Sequence, residues 1–154
     1  RFDYGQDPLR EREKLPSFFP PNEAWPGTDA QKKYPLILIS ERPRHRVHSQ
    51  WFDTPWLREI DPVPTVKINP NDAKARGINN GDEVEVFNDR GTAVAKAVYS
   101  EGNMEGLLVY PKGWQRHQHI AGSFSELSSE KFDPLGVNQS IFDATCEIRK
   151  WRED

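Results

Sequence analysis

The chain has 154 residues, including 13 Pro, 10 Gly, 5 Trp and a single Cys, with a formal net charge of −3 and a mean hydropathy of −0.84. That length fits one domain with a tail, and no apolar run reaches the ~20 residues a membrane-spanning helix needs, so no membrane span is expected. The acidic balance argues against a general nucleic-acid binder, and the lone Cys146 excludes an internal disulfide framework and an all-cysteine zinc or iron–sulfur site.

Residues 1–34 read as a proline-rich linker or docking arm. Arg1–Lys14 is charge-dense, and Pro16, Pro20, Pro21 and Pro26 alternate with Phe18, Phe19 and Trp25, a pattern too rich in proline for a helix or a central strand. Residues 35–154 read as the folded domain. Leu36-Ile37-Leu38-Ile39 is a continuous aliphatic run, expected to be a strand buried on both faces. Thr65–Ile68 is a second strand. Asn69 caps a short helix with Pro70 at its first position and Asp72 near its positive end, and Gly77 closes it with Ile78 packing beyond. Asn80-Gly81-Asp82 is a turn, and Glu83–Asn88 alternates as a half-buried strand. Asn88-Asp89-Arg90-Gly91 is a hairpin turn with positive φ expected at Gly91, leading into Thr92–Tyr99. Leu107–Tyr110 and Thr145–Lys150 complete six strands, with one or two short helices. The fold class is mainly β, a closed barrel.

Two stretches lack periodicity, Ser40–Pro64 and Pro111–Ala144, and loops of this length in a compact domain are usually functional or disordered. The first concentrates Arg42, Arg44, Arg46, His45 and His48 with Ser49 and Gln50 directly after a strand. Arginine forks with His and Ser donors suit a phosphate, whereas a solvated surface loop is the plainer alternative. The second carries Gly113-Trp114, His117 and His119, then Ser123, Ser125, Asn138 and Gln139. That hydrogen-bonding set suits a flat heteroaromatic ligand, or else Trp114 is a core anchor among exposed polar groups. His45/His48 and His117/His119 are the only histidine pairs, and neither has a carboxylate or Cys at metal-ligand spacing. No nucleophile elbow, P-loop or dinucleotide fingerprint is present. Cys146 lies mid-strand and reads as a buried thiol.

The ordered set Tyr34–Ser40, Arg46-Val47-His48-Ser49-Gln50-Trp51, Ile68–Ala73, Arg76–Val84 and Phe87–Gly91 resembles the C-terminal molybdopterin-dinucleotide-binding domain of the dimethyl-sulfoxide-reductase family of molybdenum and tungsten oxidoreductases. The resemblance spans about Tyr34 to Arg152. It implies a six-stranded double-psi β-barrel with long ligand-binding loops. It also implies that loops 40–52 and 111–140 help hold a bis(molybdopterin guanine dinucleotide) cofactor, with Mo or W carried by the full enzyme.

The residues this assigns to the cofactor are Ser40, Arg42, Arg46, His48, Ser49, Gln50, Trp114, Ser125, Asn138 and Gln139, and Asp133-Pro134 also resembles a pterin-side position. Ser125 stands where many members carry Asn. No catalytic residue and no metal ligand is assigned to this chain. The expected partners are the remaining domains of a parent enzyme, where any iron–sulfur cluster would lie. The chain, which opens at Arg1 without Met, reads as a piece of that longer protein, inactive alone and serving an oxidoreductase of bacterial anaerobic respiration. A cytoplasmic and an exported location are equally open. The alternative is a stand-alone β-barrel module that recognises a protein or a small anion.

Overall fold

The computed structural model describes residues 18–132 and 138–152. Six strands, β1 Leu36–Glu41, β2 Thr65–Ile68, β3 Glu83–Phe87, β4 Thr92–Tyr99, β5 Leu107–Pro111 and β6 Thr145–Lys150, close into a barrel in the order β1-β5-β2-β4-β3-β6. Two pairings are parallel, β1 with β5 and β2 with β4, and the others are antiparallel. This is the mainly β, double-psi architecture expected from the sequence. Closure leaves no free sheet edge to pair with another chain.

The interior is filled from every strand. Leu36 and Leu38, Val66 and Ile68, Val84 and Val86, Leu108 and Tyr110, and Cys146 and Ile148 all point into one apolar cluster. Each pair is two residues apart, as the two-residue period of a strand requires. Strand β4 contributes only Ala93, Ala95 and Ala97 to that cluster, and these small side chains make room for Tyr110 and the branched residues opposite. Cys146 is buried and free. Burial pushes its thiol well above the ordinary range.

The helices are short: α1 Asp29–Lys33, α2 Pro55–Ile60, α3 Pro70–Ala75 and α4 Phe124–Leu127, with a single 3-10 turn at Arg116–Gln118. Helix α3 forms as its sequence specifies. The Asn69 side chain accepts from the Asn71 N–H at its start. At its end the Gly77 N–H donates to the Lys74 carbonyl and the Ile78 N–H to Ala73, burying Ile78 in the core.

Four expectations are corrected. Strand β1 is not buried on both faces: Leu36 and Leu38 are, while Ile37 and Ile39 are half-buried. The helices number four among the described residues rather than one or two, because the two stretches lacking periodicity hold α2, the 3-10 turn and α4. These are too short for an amphipathic period to register. The arm likewise contains α1, capped by the Thr28 side chain. Gly91 does not adopt positive φ. The reason for glycine there is space: a Cβ at Gly91 would lie 2.8 Å from Cβ of Glu126, on α4 packed against the hairpin.

Candidate functional site

Because β1 and β5 run parallel, with Ser40 beside Tyr110 and Glu41 beside Pro111, both long excursions leave the barrel from one end. The Lys112 N–H donates to the Glu41 carbonyl at 3.1 Å and extends the pairing one step past the sheet. The next residue, Gly113, has φ of 96°. A Cβ on it would stand 1.9 Å from the His48 carbonyl oxygen. No other residue type fits here, since both the space and the conformation exclude a side chain. Gly113 therefore brings the second excursion against the His48 turn of the first.

That turn is tight. The Gln50 N–H donates to the Val47 carbonyl at 2.9 Å, which leaves His48 and Ser49 at the tip. His48 and Trp51 are held at φ of 53° and 62°, a region that non-glycine residues seldom occupy outside sites that require it. His48, Ser49 and Gln50 are all exposed, with their polar groups displayed beside Gly113.

Beneath the turn lies Arg46. Its guanidinium carbon sits 3.7 Å from the Trp114 ring centroid, and Nη2 donates to Asp61 Oδ2 at 3.2 Å. The Arg46 side chain is buried, and burial lowers its affinity for a proton against the pull of Asp61. Its Nε and Nη1, the Trp114 indole Nε1 and the Ser40 hydroxyl are buried with no hydrogen-bond partner among the described residues. A buried donor left unmade costs about 1–3 kcal/mol. Four such atoms on strand β1 and its two adjoining loops mark a place where the chain carries unspent hydrogen-bonding capacity. Further contacts join the two excursions. Gln118 Nε2 donates to the Phe52 carbonyl at 3.3 Å, and the Phe52 and His117 rings meet edge-on at 5.9 Å.

The second excursion is then fastened along β4. The Val94 N–H donates to Ala121 and the Ser123 N–H to Thr92. His119 is buried, its Nδ1 3.2 Å from the Tyr110 hydroxyl and 3.4 Å from the Val94 carbonyl. Burial holds the imidazole below its ordinary pKa, so it is neutral near pH 7. Its Nε2 also has no partner among the described residues.

The site residues foreseen from sequence divide. Ser40, Arg46, His48, Ser49, Gln50 and Trp114 gather at the β1–β5 end. Arg42 is exposed just past β1, while Arg46 is the buried clamp beneath the turn. Ser125 lies exposed on α4 against the β3–β4 hairpin. Asn138 is exposed, and Gln139 donates through Nε2 to the Ser129 carbonyl at 2.9 Å while its backbone bridges Phe132. Asp133 and Pro134 lie outside the described residues. Among the described residues no group of three or more His, Cys, Asp or Glu is placed to hold a metal, and no helix is long and apolar enough to cross a membrane.

Sequence reasoning missed two carboxylates. Asp61 pairs Arg46 from fifteen residues away, and nothing in its local sequence signals that. Asp143 accepts from the backbone N–H groups of Asn22, Glu23 and Ala24 at 2.6–2.9 Å. Burial alone would raise its pKa, but these three donors outweigh it and hold the carboxyl below its usual range. Asp143 thus fastens the arm to the barrel, and Arg90 adds a second tie by donating to both carboxylate oxygens of Glu23 at 3.0 Å.

Residues 36–144 match the family model for the Molydopterin dinucleotide binding domain. Trimethylamine-N-oxide reductase 1 of Escherichia coli K12 is 44% identical over 101 residues, covering 64% of this chain and 12% of its own length. Dimethyl sulfoxide/trimethylamine N-oxide reductase of Cereibacter sphaeroides is 41% identical over 103 residues, again 64% of this chain and 12% of that one. Among solved structures, acetylene hydratase from Pelobacter acetylenicus superposes with a TM-score of 0.79 over 90% of this chain and 21% of its own, at 20% identity, a likeness of fold. The chain spans 12–14% of the length of the curated relatives it matches.

Proposed function

We propose a function that starts from what is now plain: the chain belongs to the molydopterin dinucleotide binding domain family. It is the part of a larger molybdopterin-dependent oxidoreductase that grips a molybdopterin guanine dinucleotide at the β1–β5 end of the barrel. The observation that carries this reading is the junction of the two excursions at Gly113 and His48. It sets exposed His48, Ser49 and Gln50 above a clamp whose buried Arg46, Trp114 and Ser40 donors lack partners among the described residues.

The donor set fits the group. A dinucleotide offers pyrophosphate and sugar oxygens, which are acceptors for imidazole, hydroxyl, amide and guanidinium N–H and O–H groups. A pterin is a flat ring edged with donors and acceptors, matched by Gln50, Ser125, Asn138 and Gln139, whose side chains both give and take. In this reading His48, Ser49 and Gln50 hold the cofactor directly, and Arg42 adds positive charge at its phosphates. Ser40, Arg46 and Trp114 fix the loop that carries the turn, while residues 18–34 lead into the domain as a docking arm. When bound, the cofactor carries Mo or W and supplies the redox step, and the protein supplies binding and orientation. The relatives reduce N-oxides and sulfoxides by name, and a reaction of that class is the proposed activity of the whole enzyme. The isolated chain is inactive.

The test is cofactor content in the full-length polypeptide. His48→Ala is expected to lower bound molybdopterin per polypeptide several-fold while leaving the circular dichroism and thermal midpoint unchanged. Unaltered molybdopterin and metal content would overturn the reading.

A further inference from the structure

One face of the β1–β2 excursion is apolar and open to solvent. Trp51 is 60% exposed, Trp56 63% and Ile60 57%. Trp56 and Ile60 are four residues apart on α2 and share one side of it, whereas Leu57 turns another side into the protein. Arg58 and Asp53, 3.4 Å apart, and exposed Glu59 supply a charged rim. Large apolar side chains cost solvation when left bare, and a Trp-rich centre inside a charged rim has the composition of a protein–protein interface.

We propose that Trp51, Trp56 and Ile60 form the surface on which another domain of the same longer polypeptide packs through an apolar face of its own. This rests on the function proposed above. The occupant follows from length and place. The relatives extend far beyond the matched segment, since the chain covers only 12–14% of them, so most of such a polypeptide is available to cover this face. The patch also continues directly from the His48 turn, with Trp51 held in the same left-handed conformation as His48. A domain seated on Trp51 and Trp56 therefore closes over the outer side of that turn and excludes water from it.

Hydroxyl-radical footprinting of the full-length polypeptide, purified with its cofactor, tests this. Met104, 76% exposed on the β4–β5 connection, is the internal reference. Trp51 and Trp56 are expected to be oxidised several-fold less than free indole controls while Met104 reacts fully, with protection unchanged on dilution. Full oxidation of both indoles would overturn the proposal, and so would protection that disappears on dilution, which would assign the face to a second copy. In the same polypeptide, Trp56→Lys is expected to speed proteolytic release of this domain several-fold, with Met104→Lys without effect; equal rates would overturn it. Molybdopterin content of the same preparation separates the two readings. Protected indoles without pterin overturn the proposed cofactor and leave the docking surface standing. Bare indoles with pterin present do the reverse.

Discussion

The Arg46 guanidinium lies flat 3.7 Å over the Trp114 ring, and this stack ties the loop after β1 to the loop after β5. Its other contact, Asp61, lies on the return path toward β2. One side chain thus spans three points of the candidate site. A desolvated cation–π contact is worth about 2 kcal/mol or more, and breaking a buried ion pair costs about 3–5 kcal/mol. Against this, Arg46→Met removes two donors that have no partner, which returns part of the loss. The expected net destabilisation of Arg46→Met is about 2 kcal/mol, set by the lost stack and the stranded Asp61. A double-mutant cycle with Trp114→Leu, read by urea unfolding, should show a coupling of about 1–2 kcal/mol. Additive effects would show that the stack contributes nothing.

Gly113→Ala tests the junction itself. A Cβ placed 1.9 Å from the His48 carbonyl oxygen cannot be absorbed by a side-chain rotation, because the obstacle is backbone. The loops must part. In the full-length polypeptide this variant should lose bound molybdopterin while the barrel keeps its far-ultraviolet dichroism, since its core lies on the strands. Cofactor retention equal to the parent would mean that the two loops need not touch.

The buried His119 sets a pH dependence. Its folded pKa is below the unfolded value because burial opposes the charge, so the unfolded state binds more protons. Stability is therefore full above the unfolded value of about 6.5 and falls as pH drops below it. The urea midpoint at pH 5 should be lower than at pH 7.5, and His119→Gln should flatten that difference. A midpoint that rises on acidification would contradict a neutral buried imidazole.

Asp143 predicts a second, more acidic transition. Its carboxyl is held below the usual range, so the tie to Asn22, Glu23 and Ala24 is fully present above the unfolded carboxylate value of about 3.9. The tie is lost as pH falls through the lower folded value. Asp143→Asn should expose the segment around residues 22–24 to proteases at neutral pH, with the barrel intact. Unchanged cleavage rates would show that Arg90 and Glu23 hold the arm without it.

What sequence conveyed, and what it withheld, follows from how far each feature reaches along the chain. The six strands and the capped helix at Asn69–Ile78 were legible because alternation, caps and turns are local. The histidine turn was legible by its resemblance to a family and by its crowding of Arg and His after a strand. Arg46 was placed in the site, but its role as a buried clamp depends on Asp61 and Trp114, which only the closed barrel brings together. Gly91 shows the same limit: its place in a turn suggested a conformational reason, and the actual reason is Glu126, thirty-five residues later. Helices α2 and α4 were missed because six and four residues are too few to display a period. The arm's attachment was hidden because backbone N–H groups, which every residue but proline has, do the binding.

The central claim is that the two excursions meeting at Gly113 hold the pterin dinucleotide, with the His48 turn against it. Chemical modification of histidines in the full-length polypeptide, with cofactor present and after its removal, measures this most directly. His117, exposed on the 3-10 turn, serves as the reference. The account predicts that His48 is shielded in the loaded protein and becomes reactive once the cofactor is removed, while His117 reacts at the same rate in both. A His48 that reacts equally in the two states would contradict it.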